Sequence, residues 1–261
     1  MLENIEDIAS AASDAQSVER ISDLELEFIG ECIDPPKPEE LAIRIDDITG
    51  GMPPKAIDSN PQIAEMLEPI RDQIPPKYLE APNDMEQVSQ ISDMMADTIE
   101  LRPENWKQLS QEERLAVLND LEIKIAEIEH RPPCPIYTKD MGPIQQMGDK
   151  LYGSMGVHQS SIFGESITIN SRLLMGDSQA CFKETLNTLV HEGRHSYQTY
   201  NMTERATHTS QGDLTNWHKN MEEFGYQSVQ KCGFKAYWLQ PIEADARKFA
   251  EDVLTAYEKK I

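Results

Sequence analysis

One run constrains this chain more than any other: Thr188-Leu189-Val190-His191-Glu192-Gly193-Arg194-His195 spells H-E-x-x-H inside a helical pattern. Phe182, Leu186, Leu189, Val190 and Tyr197 recur at steps of three and four, so the helix is predicted without the motif. On such a helix His191 and His195 stand one turn apart on one face, roughly 6 Å between them, where both imidazoles can reach a single Zn2+. Glu192, beside the first imidazole, then faces the water that the ion activates. Zinc lowers that water's pKa from about 16 to about 7, and the glutamate takes its proton as it attacks a carbonyl. Gly193 costs the helix about 1 kcal/mol relative to alanine, which implies that bulk there is excluded by a neighbouring element or by substrate.

A catalytic zinc usually takes three protein ligands, so a third must come from elsewhere. The metzincin pattern would need Gly and His at positions occupied here by Gln198 and Asn201, which excludes it. The best candidate is Glu243 in Pro241-Ile242-Glu243-Ala244-Asp245-Ala246-Arg247-Lys248-Phe249-Ala250, where proline starts a helix that runs to the C-terminus. Ile242, Ala246, Phe249, Val253 and Tyr257 form its apolar stripe. Glu243 lies beside that stripe, and the small residues Ala246 and Ala250 would let the helix approach the metal helix closely. Asp245, His208, His218 and the pair Glu222-Glu223 are the alternatives. Asp245 is also a candidate to hold a ligand imidazole in the right tautomer. His130 and His158, like His208 and His218, read as solvated or hydrogen-bonded residues. An oxyanion donor is expected, with Tyr237, Tyr200 and His208 unranked.

H-E-x-x-H followed by Glu243, Ala246, Phe249, Ala250 and Val253-Leu254 resembles the ImmA/IrrE-like metallopeptidases of the minimal gluzincin group. The resemblance spans about residues 150–261. It implies zinc held by His191, His195 and Glu243, with Glu192 as general base. The stretch between His195 and Glu243 is longer than a minimal gluzincin needs, and its Leu214–Val229 portion reads as an added helix with Trp217, Met221, Phe224 and Ser228 on one face. A weaker likeness, carried by His191–Gln198 and Gln240–Ala246, is to metallopeptidase domains of bacterial polymorphic toxins.

Other segments fill in a fold. Ser166-Ile167-Thr168-Ile169-Asn170 reads as a strand with Ile167 and Ile169 facing the core; it is either an edge that binds substrate by strand addition or an internal strand. Lys150–Ile162 reads as loop or a second strand. Ser110-Gln111-Glu112-Glu113 caps a helix carrying Leu115, Leu118, Leu121, Ile125 and Ile128, which ends before Arg131-Pro132-Pro133. Residues 1–100 hold 24 acidic against 6 basic residues and account for 18 of the 22 net negative charges. That acidic, Pro-rich region is expected to be helical or partly disordered, with helical faces at Ile5, Ile8, Val18, Ile21, Leu24 and Phe28 and again at Val88, Ile91, Met94, Met95 and Ile99. The expected architecture is therefore α+β: a mostly helical zincin-like domain with a small β-sheet over 101–261, preceded by the acidic region 1–100.

The acidic charge argues against nucleic-acid binding, because phosphate contacts need a basic surface. No apolar run is long enough to span a membrane, and Met1-Leu2-Glu3-Asn4-Ile5-Glu6 is no ordinary secretory signal. Cys32, Cys134, Cys181 and Cys232 lack CxxC spacing and read as reduced thiols. These features suggest a cytoplasmic protein, or one secreted without a cleavable signal peptide. The function expected is zinc-dependent hydrolysis of peptide bonds in a protein or peptide substrate. The alternatives are a secreted bacterial effector whose acidic N-terminal region binds a protein partner, and a non-catalytic zinc-stabilised binding protein.

Overall fold

A computed structural model describes residues 79–261 apart from 149, 162, 163, 203–205 and 224, together with 62 and 65. The helical faces expected between Ile5 and Phe28 lie outside these residues. The architecture is α+β, helical with a small mixed sheet. No helix among the described residues is long and apolar enough to cross a membrane.

Local signals start the helices. Asn83 caps α1 (Asp84–Asp97), its side chain accepting from the Glu86 N–H, and a 3-10 turn (Ile99–Leu101) leads to α2 (Pro103–Trp106). Ser110 and Glu113 exchange both bonds of a capping box to open α3 (Gln111–Ile128), whose Leu118, Leu121 and Ile125 are buried. His130 at φ 55 turns the chain out of α3 just before Arg131-Pro132-Pro133.

The sheet follows: β1 (Ile136–Lys139), a hairpin of β2 (Gln145–Met147) and β3 (Lys150–Tyr152), β4 (Gly156–Ser161) and β5 (Gly164–Asn170). Its order is β1-β5-β4, with β1 parallel and β4 antiparallel to β5. Ile167 and Ile169 face the core as the alternation requires. The strand expected at 166–170 is thus the central one, and its edge reading is overturned because both of its sides are paired. β4 is an edge strand and lies against the helix that carries the H-E-x-x-H run.

Asn170 ends β5 and caps α4 (Ser171–Met175), and Ser178 caps the long α5 (Gln179–Asn201). Phe182, Leu186, Leu189, Val190 and Tyr197 are all buried on it. The single helix expected over 214–229 is instead α6 (Gln211–His218), a wide π-type turn (Lys219–Glu223) and α7 (Val229–Leu239). The break falls at Gly225, whose φ of 69 is left-handed backbone that disfavours residues with a Cβ. Trp217 is consequently buried while Met221 is exposed.

Pro241 then opens α8 (Pro241–Glu258), which buries Ile242, Ala246, Phe249, Ala250, Val253 and Tyr257 along α5 and α1. One apolar cluster joins α1, α2, α3, the sheet, α4, α5 and α8. Ala81 N–H donates to the Thr207 carbonyl, and Ala81 packs with Tyr197 and Trp217. The packed unit therefore reaches N-terminally past the composition break at residue 100.

Candidate metal centre

Helix α5 delivers His191 and His195 to one face, and the first turn of α8 delivers Glu243 across from them. Their Nε2 atoms are 3.1 Å apart, and each lies 3.4 Å from one oxygen of the Glu243 carboxylate. The close approach is set by Ala246 and Ala250, both fully buried where α8 packs along α5. One donor atom from each of the three residues falls within 4.8 Å of the others.

Hydrogen-bond logic fixes the His195 tautomer. Gln198 Nε2 donates to the Ile242 carbonyl at 2.8 Å and to Asp245 Oδ2 at 2.7 Å, both acceptors only. Gln198 Oε1 therefore faces His195 Nδ1, 2.8 Å away, and must accept the Nδ1 hydrogen. Nε2 is the nitrogen turned toward Glu243 and His191, where a metal would take the place of its proton. Asp245 reaches the His195 imidazole through Gln198 rather than directly, because Arg194 occupies it. The Arg194 guanidinium bonds Asp245 at 2.9 Å and Asp84 at 3.0 Å, and stacks between Tyr197 and Phe249.

The cluster seeks a cation. Burial disfavours charge on His195, yet the Glu243 and Glu192 carboxylates push it up to about 9. Burial also works to raise Glu243, but the two imidazoles and Tyr226 hold it well below the usual carboxylate range. Glu243 is 2% exposed, and its Oε2 has no hydrogen-bond partner. A buried carboxylate whose two oxygens each face one imidazole nitrogen, one of those oxygens without a hydrogen bond, is what a zinc ion with a His2Glu ligand set would satisfy.

Glu192, 8% exposed, projects toward β4, where the His158 backbone N–H donates to its Oε2 at 2.7 Å. Gly156 makes that approach possible. A Cβ there would come within 2.5 Å of Thr188 Cγ2 and 3.3 Å of Glu192 Cγ. Gly193 is explained on the opposite side: a Cβ would press on Arg131 Nη2 at 3.2 Å, where Arg131 pairs with Glu122 and Glu129 in the interior. The excluded bulk is a neighbouring ion pair, not substrate.

The remaining candidates separate clearly. His208 is buried between Tyr197 and Trp217 with its ring nitrogens on Tyr197 and Asp213, so it is not presented as an oxyanion donor. His218 pairs with Glu222 on the surface. His130 follows α3 and takes no part in the cluster. Tyr237 lies close enough to Glu243 for that charge, after burial, to raise its phenol. The residue that pattern reading missed is Tyr226, whose hydroxyl donates to Glu243 Oε1 at 2.7 Å. Gln240, at the N-cap of α8, holds the neighbouring backbone by accepting from Gln227 N–H at 3.1 Å. The signal was Gly225, a turn-former immediately before an aromatic residue.

No family model, no curated protein and no solved structure matches this chain.

Proposed function

We infer that the chain is a zinc-dependent metallopeptidase of gluzincin type, with His191, His195 and Glu243 as metal ligands and Glu192 as general base. The observation that carries this reading is the meeting of the His191 Nε2 with the buried Oε2 of Glu243 and of the His195 Nε2 with its Oε1, beside a second carboxylate held by an edge strand. Zinc at such a centre polarises a carbonyl and makes water a nucleophile near neutral pH.

The chain's own residues supply the rest. The His158 N–H fixes Glu192 through Oε2, so the carboxylate is oriented to take a proton from water and return it to the departing amine. The Tyr226 hydroxyl, whose one hydrogen goes to Glu243 Oε1 here, would serve as the oxyanion donor by turning that hydrogen from Glu243 to the substrate. Edge strand β4 offers backbone groups on its outer side to an extended peptide, which favours a polypeptide substrate over a compact small molecule.

Glu192→Gln tests the assignment. The variant should bind zinc like wild type and lose at least about 100-fold in cleavage of an unfolded protein substrate, the scale of general-base catalysis. Undiminished cleavage would remove Glu192 from the mechanism.

A further inference from the structure

A second set of donor atoms lies where the sheet packs against α5. Cys134 stands two residues before Ile136 on β1, Glu165 two before Ile167 on β5, and His158 opposite Ile167 on β4. With a side-chain period of two, all three share the sheet face on which Ile136 and Ile167 are buried. Each comes from the β1, β5 or β4 chain path, and α5 closes the group with Ser196, next to His195.

The distances are short. Glu165 Oε2 lies 2.9 Å from His158 Nε2, 3.7 Å from Cys134 Sγ and 2.7 Å from Ser196 Oγ, and Cys134 Sγ is 3.1 Å from Ser196 Oγ. Cys134 is buried, and the His158 side chain is only 8% exposed. Sulfur, imidazole and carboxylate donors all fall within 4.8 Å of one another.

We propose that Cys134, His158 and Glu165 form a second transition-metal site, separate from the His191–His195–Glu243 centre and independent of its assignment. A thiolate with an imidazole selects zinc or cobalt(II) over magnesium or calcium, which prefer oxygen. Around a tetrahedral zinc, with Zn–S about 2.3 Å and Zn–N or Zn–O about 2.0–2.1 Å, sulfur and oxygen ligands stand roughly 3.6 Å apart and nitrogen and oxygen roughly 3.4 Å. The Cys134–Glu165 separation already matches, and the His158–Glu165 separation has to open by about 0.5 Å. Thiolate and carboxylate together neutralise the dication. Burial pushes the Cys134 thiol up to about 11, so metal entry releases its proton to solvent. For Nε2 to bind the ion, the His158 ring hydrogen must sit on Nδ1, and the Nε2 contact with Glu165 gives way. Ser196 Oγ is a neutral fourth donor or the anchor of a water. Because the His158 N–H holds Glu192, an ion here pins the edge strand, and the carboxylate it orients, to the sheet.

Cobalt(II) added to the reduced, metal-stripped full-length chain tests this, because a thiolate ligand gives a near-ultraviolet sulfur-to-cobalt absorption that a His2Glu site cannot give. Wild type should show the band; Cys134→Ser should lose it; Glu243→Ala should keep it. His158→Asn, which leaves the buried thiol untouched, should weaken cobalt binding at the band by more than the roughly 10- to 100-fold that loss of an outer partner costs. Absence of the band from folded, reduced wild type would overturn the site. So would a band that survives in Cys134→Ser, which would assign it to Cys32, Cys181 or Cys232, or one that vanishes in Glu243→Ala.

Discussion

At the level of single residues, Gln198 decides how the centre is held. It reads one imidazole with its oxygen and spends both amide hydrogens on Ile242 and Asp245, so it can orient His195 in one way only. Replacing it with leucine keeps the volume and removes the acceptor. Gln198→Leu should bind zinc roughly 10- to 100-fold more weakly in competition with a chelator, the usual effect of losing an outer partner of a ligand histidine. Unchanged affinity would show that the His195 orientation is fixed elsewhere. His191, Glu192 and His195 were legible in the sequence because a helix converts a spacing of four directly into a shared face. Glu243 was legible for the same reason, from its place beside an apolar stripe with small residues. Asp245 could only be named as a candidate partner, since a helical pattern shows faces but not distances, and it reaches His195 through Gln198. Tyr226 was invisible because a turn, not a periodicity, brings it to Glu243.

Among the elements, the contact of β4 with α5 matters most. It forms at Gly156, where the strand backbone touches Thr188 and Glu192, and it delivers the His158 N–H to the Glu192 carboxylate. Gly156→Ala should force the strand outward, costing about 1–3 kcal/mol as other overpacked sites do. Cleavage should fall by more than the zinc content does, checked by chemical unfolding and by assays on metal-loaded protein. Wild-type cleavage by this variant would sever β4 from the mechanism. Sequence reading found β5 by its β-branched alternation and the α3 start by its capping box, both local signals. It could not rank β4 against β5 as the edge, because pairing order depends on β1, which joins in parallel from 31 residues away. Likewise Gly225 was read through as helix because Trp217 and Met221 happen to keep a helical spacing.

Across the whole molecule, two buried arginines tie the unit together. Arg194 joins α1, α5 and α8 through Asp84, Gln87 and Asp245, which explains why the packed region starts before residue 100 despite the charge break there. Arg131 holds Glu122 and Glu129 beneath Gly193. Burial, only partly offset by Arg131 and Arg194, pushes Glu129 up to about 7, and its Oε1 has no hydrogen-bond partner. A carboxyl whose folded pKa lies above its unfolded value of 4.5 contributes stability that is complete below about pH 4.5 and lost as pH rises through about 7. The stability of wild type relative to Glu129→Gln, from urea midpoints, should therefore decline across that window. A flat difference would mean that Glu129 stays ionised in the fold.

The most direct test of the account is metal content by elemental analysis of freshly desalted wild type beside His195→Ala and Glu243→Ala, each checked for folding and titrated to saturation with zinc. Cys134→Ser serves as the background in all three, so that only the His191–His195–Glu243 centre is counted. One zinc per chain, lost in both ligand variants, is the predicted result. Zinc retained in folded Glu243→Ala, or none taken up by the background chain, would contradict the three-ligand centre and the hydrolytic function inferred from it.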